Sequence, residues 1–254
     1  MRFCIIGSGS RGNSVVVWTH EASILIDAGL SYKQMVERMK ARDIDPWRIQ
    51  ALFLTHEHRD HLQGVRRWLE THGTPVYATQ PTLERAGISG RPGVCPIEPR
   101  GKVEVGNLLV EAVPTVHNAA QPVTFFIRER NGPSLAMVFE TGRVTDELAR
   151  IAAGAEVLLL EANHDRQMLA SNDRLPDFLV ERIASTHLSN SGAANCLESL
   201  DQATRLVVLM HLSQENNHPE LALEIARGAL RKAGRPGIRL LAASQEEPTE
   251  VLDV

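Results

Sequence analysis

Four candidate metal ligands, three imidazoles and the carboxylate of Asp60, stand within six residues of this sequence, just after a short apolar run. The four residues are His56, His58, Asp60 and His61. The run before them, Ala51–Leu54, predicts a buried strand that ends where the histidines begin. Since side chains alternate along an extended chain, His56 and His58 share one side of it. Neutral imidazole and carboxylate groups are ligands of zinc, iron and manganese, so the segment predicts a metal site at the end of a strand.

Further candidate ligands also follow predicted strands. His117 follows the strand predicted at Leu108–Val113. His211 follows the strand predicted at Leu206–Met210. Because functional groups of layered α/β folds collect at strand ends, both histidines are candidate third or later ligands. Glu140 also ends a predicted strand, beside a glycine, where its carboxylate either bridges two metal ions or is an exposed charge near a turn.

The order of the predicted elements indicates an α/β protein. The first half alternates short Val- and Ile-rich strands with turns, and a helix is predicted at Tyr32–Lys40 with Ser31 as its N-cap. Residues 79–106 are richer in Pro and Gly and predict loop with a short helix. From about residue 144 helices and strands alternate, and one helix is predicted at 191–203. This order predicts helices packed on one or two sheets.

Length and composition limit the other properties of the chain. The 254 residues suffice for one large domain or two small ones, and without a linker or repeat we predict one domain over 1–254. The apolar runs fall far short of the roughly 20 residues of a membrane helix, and Gly and Ser follow Met1 too soon for a signal peptide. Three widely spaced cysteines provide no disulfide framework. We therefore predict a cytoplasmic protein with no membrane contact.

The charge balance restricts how nucleic acid could be bound. Twenty-seven Lys and Arg residues against thirty-one Asp and Glu residues give a formal net charge of −4. Proteins that bind nucleic acid through counterion release usually present a basic surface. A nucleic-acid substrate would therefore require a local basic patch, or the charge of bound metal ions, for its attraction.

The sequence resembles a known family along nearly its whole length. His56–His61 resembles the HxHxDH signature of the metallo-β-lactamase fold, an α/β four-layer αββα sandwich with a two-metal groove between sheet edges. Other segments are similar to the YycJ/WalJ branch of that fold: Ser8–Asn13, Ile26–Gly29, Leu160–Asp165, His187–Asn190 and His211–Asn217. The resemblance implies 5′→3′ exonuclease activity on DNA, the activity associated with this branch.

The resemblance also implies a set of metal ligands. It assigns His56, His58 and His117 to one divalent metal ion, and Asp60, His61 and His211 to a second. The bridging carboxylate of the family is normally an Asp before Thr-Gly, and Glu140 stands in that place with one extra methylene. The expected cofactors are two zinc or manganese ions, with iron as the alternative, because the ligand types suit all three metals.

Catalytic and substrate-binding roles follow from the same resemblance. Glu161 and His187 are similar to a Glu–His couple of the tRNA-maturing enzyme RNase Z. In that likeness Glu161 orients His187, which contacts the scissile phosphate or protonates the leaving oxygen. Asp60 would also orient the attacking hydroxide. Ser189 and Asn190, at a predicted helix N-terminus, either bind a substrate phosphate or cap the helix.

Three functions agree with these residues. The expected one is a two-metal phosphodiesterase that acts as a 5′→3′ exonuclease, with nucleic acid, DNA above RNA, as substrate. The first alternative is a metal-dependent hydrolase of a small ester, thioester or nucleotide, since the fold hosts many such reactions. The second is a metal-binding protein with weak or no catalysis, a reading that Glu140 in place of Asp keeps open.

Overall fold

The computed structural model describes all 254 residues, which form two compact units. The first unit consists of Met1–Pro114, Ala119–Pro133 and Ser244–Val254. The second consists of Thr115–Asn118 and Ser134–Ala243. We describe each unit by itself. The prediction of one domain over residues 1–254 stays a prediction.

Strands and helices alternate along both units. The strands are β1 (Arg2–Gly7), β2 (Ser14–Trp18), β3 (Ser23–Ile26), β4 (Ala51–Phe53), β5 (Val76–Ala78), β6 (Val94–Pro96), β7 (Lys102–Val105), β8 (Leu108–Pro114), β9 (Val123–Glu129), β10 (Ser134–Val138), β11 (Val157–Glu161), β12 (Leu206–Met210), β13 (Arg239–Ala242) and β14 (Leu252–Asp253). The helices are α1 (Tyr32–Lys40), α2 (Arg59–Leu62), α3 (Val65–His72), α4 (Gln80–Arg85), α5 (Asp146–Ala153), α6 (Arg166–Ala170), α7 (Asp177–Thr186), α8 (Asn190–Glu198) and α9 (Pro219–Lys232). A short 3₁₀ turn covers Pro46–Arg48. No helix combines the length and the apolar composition needed to cross a membrane.

The first unit is built on a seven-stranded sheet in the order β14-β1-β2-β3-β4-β5-β6. Strands β1, β2 and β3 pair antiparallel, and β3 to β6 pair in parallel. Three further strands of this unit, β7, β8 and β9, form an antiparallel ladder. The parallel pairing directs β3 and β4 the same way, so Asp27 and Thr55 follow the same edge of the sheet.

Apolar side chains of the first unit fill one core between the sheet and its helices. The predicted helix Tyr32–Lys40 is confirmed, and Ser31 caps it by accepting a hydrogen bond from the backbone N–H of Gln34. Met35 and Met39, four residues apart, both lie on the buried face of α1. Trp68 of α3 is fully buried in the same core.

The second unit contains a parallel ladder in the order β10-β11-β12-β13. Every residue of β10, β11 and β12 is buried, which is the near-continuous apolar pattern of parallel strands covered by helices. Helix α5 connects β10 to β11, α6 to α8 lie between β11 and β12, and α9 connects β12 to β13. The chain therefore reaches the carboxyl end of each strand just before a loop, where Glu140, Glu161 and His211 lie.

Two sequence predictions about elements were wrong. Residues 79–106 contain two strands, β6 and β7, in addition to helix α4, because pairing with β5 and β8 overrides the Pro- and Gly-rich local sequence. The helix predicted at 191–203 covers only Asn190–Glu198. It ends there because the N–H of Ser199 bonds the carbonyl of Cys196 and Asp201 then caps a turn through the N–H of Ala203.

Gly29 marks a close approach of three backbone segments in the first unit. Its N–H donates to the carbonyl of Asn13, and the N–H of Asn13 donates to the carbonyl of Asp60. A Cβ atom on Gly29 would lie 1.6 Å from the carbonyl oxygen of Asp60 and 2.5 Å from the amide nitrogen of Asn13. Only glycine allows the segment after β3 to pack this closely against the chain at Asp60.

We expect Gly29→Ala to destabilise the protein by at least about 1–3 kcal/mol, because backbone atoms must move to admit the methyl group. Gly228→Ala is the matched control. Gly228 lies inside α9 with no heavy atom within 4 Å of the added Cβ, so alanine there should stabilise by about 0.5–1 kcal/mol. Urea unfolding of the three proteins gives both changes. Equal stabilities of the wild type and Gly29→Ala would contradict the close approach.

Candidate metal-binding site

The histidines predicted from the sequence lie at the end of β4 in the first unit. His56 is the third residue after the strand. His58 is the N-cap of α2, which contains Asp60 and His61. His56 and His61 are fully buried. The Nε2 atom of His56 lies 2.9 Å from Nδ1 of His58. Two imidazole nitrogens at this distance, one ring being buried, are a donor set suited to a shared divalent cation.

Asp27 is a functional residue that the sequence analysis did not single out. Its side chain is buried, and its Oδ2 accepts a hydrogen bond from Nδ1 of His61 at 2.7 Å. The N–H and hydroxyl of Thr55 donate to its two oxygens at 2.9 and 2.8 Å. Because Nδ1 of His61 donates to Asp27, Nε2 of His61 is the nitrogen that could bind a metal ion. The sequence signals for Asp27 were a carboxylate directly after β3 and its place in Ile26–Gly29, a segment that resembles the family.

Asn13 supports the same cluster from the loop before β2. Its amide nitrogen lies 3.2 Å from Oδ2 of Asp60 and 3.1 Å from Nε2 of His61, and its Oδ1 accepts from the N–H of Gly9. Burial would lower the pKa of His61, but the carboxylates of Asp27 and Asp60 outweigh burial and raise it well above its ordinary value. Without a metal ion these carboxylates therefore favour the protonated form of His61.

A second cluster lies in the second unit and combines two carboxylates with two imidazoles. Its members are Glu140, Glu161, His187 and His211, whose ligand atoms lie within 4.8 Å of one another. Nδ1 of His211 is 2.6 Å from Oε1 of Glu140. Nδ1 of His187 donates to Oε1 of Glu161 at 2.7 Å. Three of the four side chains are almost fully buried, and that of His187 is 18% exposed.

Glu161 holds its position through backbone as well as side-chain donors. Its Oε2 accepts from the N–H groups of Thr141 and Leu188 at 3.0 and 3.2 Å. Burial opposes its ionisation, yet the imidazoles of His187 and His211 lower its pKa below the ordinary value. Glu161 is therefore a charged carboxylate that fixes the ring of His187.

The imidazoles of this cluster respond to their surroundings in opposite ways. Burial lowers the pKa of His187 and of His211, but the carboxylates of Glu140 and Glu161 outweigh it and raise both. For His117 burial prevails, and its pKa is lowered. Nδ1 of His117 donates to the carbonyl of Thr186 at 2.9 Å, and its Nε2 lies 3.2 Å from Oε2 of Glu140. His117 thus joins the cluster as a neutral ring whose Nε2 faces a carboxylate.

Three of these residues have strained backbone conformations. Asp27, Glu140 and His211 each follow the end of a buried strand with φ values of 55°, 52° and 56°. Non-glycine residues avoid this left-handed region, and each instance costs of the order of 1–3 kcal/mol. Such strain concentrates at functional sites, where it places a polar side chain that a relaxed turn would direct elsewhere.

Comparison with known proteins decides the family. The sequence profile of a Beta-lactamase superfamily domain matches residues 22–212. The exodeoxyribonuclease YycJ of Bacillus anthracis is 32% identical over 243 residues, which cover 92% of this chain and 90% of the relative. The chain belongs to the YycJ/WalJ family of metallo-β-lactamase-fold proteins.

Other comparisons agree with this family. The exodeoxyribonuclease WalJ of Streptococcus pneumoniae serotype 2 is 33% identical over 231 residues, which cover 87% of this chain and 85% of the relative. The crystal structure of the metallo-β-lactamase-fold protein YhfI from Bacillus subtilis covers 98% of this chain and 99% of its own, with a TM-score of 0.72 at 14% identity. The predicted αββα metallo-β-lactamase fold is thereby confirmed. The prediction of a metal-dependent hydrolase is confirmed by membership of the YycJ/WalJ family.

The donor set fits the divalent metal ions that this family implies. Each unit presents imidazole nitrogens beside carboxylate oxygens. In the first unit the Nε2 atom of His56 lies 2.9 Å from Nδ1 of His58, and in the second unit the four candidate ligand atoms lie within 4.8 Å of one another. In each unit one imidazole donates a ring N–H to a buried carboxylate, His61 to Asp27 and His187 to Glu161, and His61 is the predicted metal ligand of these two rings. The pairing of a ligand histidine with a supporting carboxylate is common at metal sites.

The two predicted substrate-binding residues have different surroundings. Ser189 caps α8, because its hydroxyl accepts from the N–H of Gly192 at 3.1 Å. The amide nitrogen of buried Asn190 donates to Oδ1 of Asn217 at 2.9 Å, and the amide nitrogen of Asn217 returns a bond to Asn190. The side chain of Asn190 is thus paired within the protein, and substrate binding by either residue stays a prediction.

We expect Asp27→Asn to weaken metal binding about 10- to 100-fold, the usual effect of removing a carboxylate that supports a ligand histidine. The amide keeps the size of the side chain but loses the charge that orients His61. Competition with a metal-binding dye measures the affinity, and Asp173→Asn, a change at an exposed aspartate, is the control. Unchanged affinity in Asp27→Asn would show that His61 does not depend on Asp27.

Metal binding should release protons at neutral pH. In the metal-free protein neighbouring carboxylates raise the pKa of His211 to about 10 and that of His61 well above its ordinary value, so they favour a proton on each ring that metal binding must displace. The number of protons released should fall as the pH rises toward those raised values. Calorimetric titration with Zn²⁺ in buffers of different ionisation enthalpy counts the protons. Binding with no proton release at pH 7 would contradict the assignment of both rings as ligands.

Proposed function

We propose that this protein is a dinuclear metal-dependent phosphodiesterase that acts as a 5′→3′ exonuclease on DNA. The observation that carries the proposal is the Glu161–His187 hydrogen bond of 2.7 Å inside a cluster of metal-ligand residues. Relatives that are named exodeoxyribonucleases and match about nine-tenths of the chain support DNA as the substrate.

The proposed ligands follow the pattern of the family. One ion would be held by His56, His58 and His117, and the other by Asp60, His61 and His211. Glu140 is proposed to bridge the two ions, which its contacts with His117 at 3.2 Å and His211 at 2.6 Å support. Zinc or manganese suits these nitrogen and oxygen donors, with iron as the alternative.

The protein residues divide the chemistry between them. Two divalent cations, when bound, would lower the pKa of a water molecule and would stabilise the attacking and leaving oxygens of a phosphodiester. Asp60 orients the attacking oxygen, its own carboxylate being held by the amide of Asn13. His187 donates a proton to the leaving oxygen through Nε2, because Nδ1 is bound to Glu161. Glu161, which accepts from Nδ1 of His187, would stabilise the imidazolium form that donates this proton.

Bound cations also resolve the electrostatic difficulty of an acidic protein that binds DNA. The formal net charge is −4, so the whole surface does not attract a polyanion. Two divalent ions add positive charge at the place where the phosphodiester must bind. Attraction of this kind is local, and it favours a strand end at the site over the length of a duplex.

The first test is digestion of 5′-phosphorylated duplex and single-stranded DNA by metal-loaded protein, with Mn²⁺ and Zn²⁺ in separate reactions. We expect nucleotides to be released from the 5′ end only. His58→Ala and Asp60→Ala should abolish digestion and lower the metal content. His187→Ala should keep its metal and slow digestion by about 10²–10⁴-fold, the usual contribution of a general acid.

His218→Ala is the matched control, because His218 is exposed and makes no side-chain capping bond at α9. It should leave digestion unchanged. Digestion retained by His58→Ala would refute the two-metal mechanism, and metal loss in His187→Ala would make His187 a ligand. Two bound metal ions without digestion of DNA would redirect the search to small esters, thioesters and nucleotides.

Glu140→Asp installs the residue that the family normally has. We expect digestion to be preserved or raised, because the family normally carries this shorter carboxylate before Thr-Gly. Metal content by mass spectrometry and the digestion rate are measured together. Loss of metal and of digestion would show instead that Glu140 is fitted to the particular spacing of this site.

A further inference from the structure

A cavity of about 530 Å³ in the second unit contains His187 in its wall. This volume lies within the range of about 300–1,000 Å³ that is typical of small-molecule sites. Helices α6, α7 and α8 contribute most of the wall, together with the turn at Gly142–Val144. The cavity is therefore lined by His187, the proposed proton donor, and by helices that have no other role in the proposed mechanism.

One part of the cavity wall is apolar. Its apolar members include Leu169, Val180, Ala184, Leu188 and Cys196. Val180 and Ala184 lie four residues apart on α7, so both occupy the same face of that helix. Planar aromatic groups, such as nucleobases, are suited to a slot with apolar walls.

The cavity wall also contains polar and positively charged side chains. Arg143 and Arg166 both line the cavity, and Nε of Arg166 donates to the hydroxyl of Ser189 at 3.3 Å. The guanidinium groups of arginines bind phosphate through several N–H donors in a fixed plane. The cavity thus combines a surface for a phosphate group with a slot for a flat apolar group.

His164 adds an unpartnered polar atom to this wall. Its side chain is 2% exposed, and its Nδ1 has no hydrogen-bond partner. Burial lowers the pKa of His164 to about 4, so the ring is neutral at physiological pH. A buried polar nitrogen without a partner costs free energy, which a ligand with a hydrogen-bonding group would recover.

We propose that this cavity binds the terminal nucleotide of the DNA strand, with its phosphate at Arg166 and its base between α7 and α8. The proposal rests on the proposed exonuclease function and deepens it. The bond next to the terminal nucleotide would then lie at His187, and each cleavage would release one nucleoside monophosphate. The cavity accepts one nucleotide, so it also sets the length of the product.

Binding of the product tests the proposal without any cleavage step. Metal-loaded protein is titrated in a calorimeter with deoxyadenosine monophosphate, deoxyadenosine and inorganic phosphate. We expect the monophosphate to bind at least about tenfold more tightly than either of the others, because it alone occupies both parts of the cavity. In Arg166→Ala the affinities for the monophosphate and for deoxyadenosine should become equal.

A matched pair of variants locates the binding. Ala184→Phe places a bulky ring in the apolar slot and should weaken binding of the monophosphate about tenfold or more, with inorganic phosphate unaffected. Gln167→Phe adds the same ring at an exposed position of α6 outside the cavity wall and should change nothing. Both sites are exposed, and thermal unfolding confirms that each variant is folded.

The outcomes separate this inference from the proposed function. Equal affinities for the monophosphate and inorganic phosphate, or equal effects of the two phenylalanine variants, would overturn the nucleotide site. If the wild type then still digests DNA from the 5′ end, the proposed function stands without it. Binding that Ala184→Phe removes would support the site, even for a protein that does not digest DNA.

Discussion

A carboxylate can remain charged inside a protein only if hydrogen-bond donors surround it, and this constraint organises both clusters. Asp27 is 2% exposed and accepts one backbone N–H bond, one hydroxyl bond and a bond from His61. Glu161 is fully buried and accepts two backbone N–H bonds as well as bonds from the imidazoles of His187 and His211. The bond to the carboxylate fixes which nitrogen of His61 and of His187 carries a proton. The chemistry proposed for both rings depends on that choice.

The buried parallel strands explain how polar side chains reach these positions. Strands β3, β10 and β12 are apolar almost throughout. Each is followed, one or two residues after its last residue, by Asp27, Glu140 and His211 respectively. All three residues take left-handed backbone conformations that only a well-packed surrounding structure can maintain. The stability of the sheets thus compensates the strain at the site. Loops at strand ends carry function on a rigid scaffold for the same reason.

The sequence predicted much of this arrangement because its signals are local. His56–His61 has a recognisable spacing, and the αββα fold follows from it by resemblance. The role of Asp27 could not be predicted in the same way, because its partner His61 lies 34 residues further along the chain. The pairing of Asn190 with Asn217 is equally non-local. Strand β7 was missed although Lys102–Val105 alternates polar and apolar residues, because this run is only four residues long and stands between Gly101 and Gly106.

The most direct test of the two-metal account is a crystal structure of the Mn²⁺-loaded protein with anomalous data at the manganese absorption edge. The account predicts two peaks about 3.5–4 Å apart. It expects one peak within bonding distance of the imidazoles of His56 and His58, the other beside His211, and the carboxylate of Glu140 between them. A single peak, or peaks away from these residues, would contradict the central claim that this chain holds a dinuclear site.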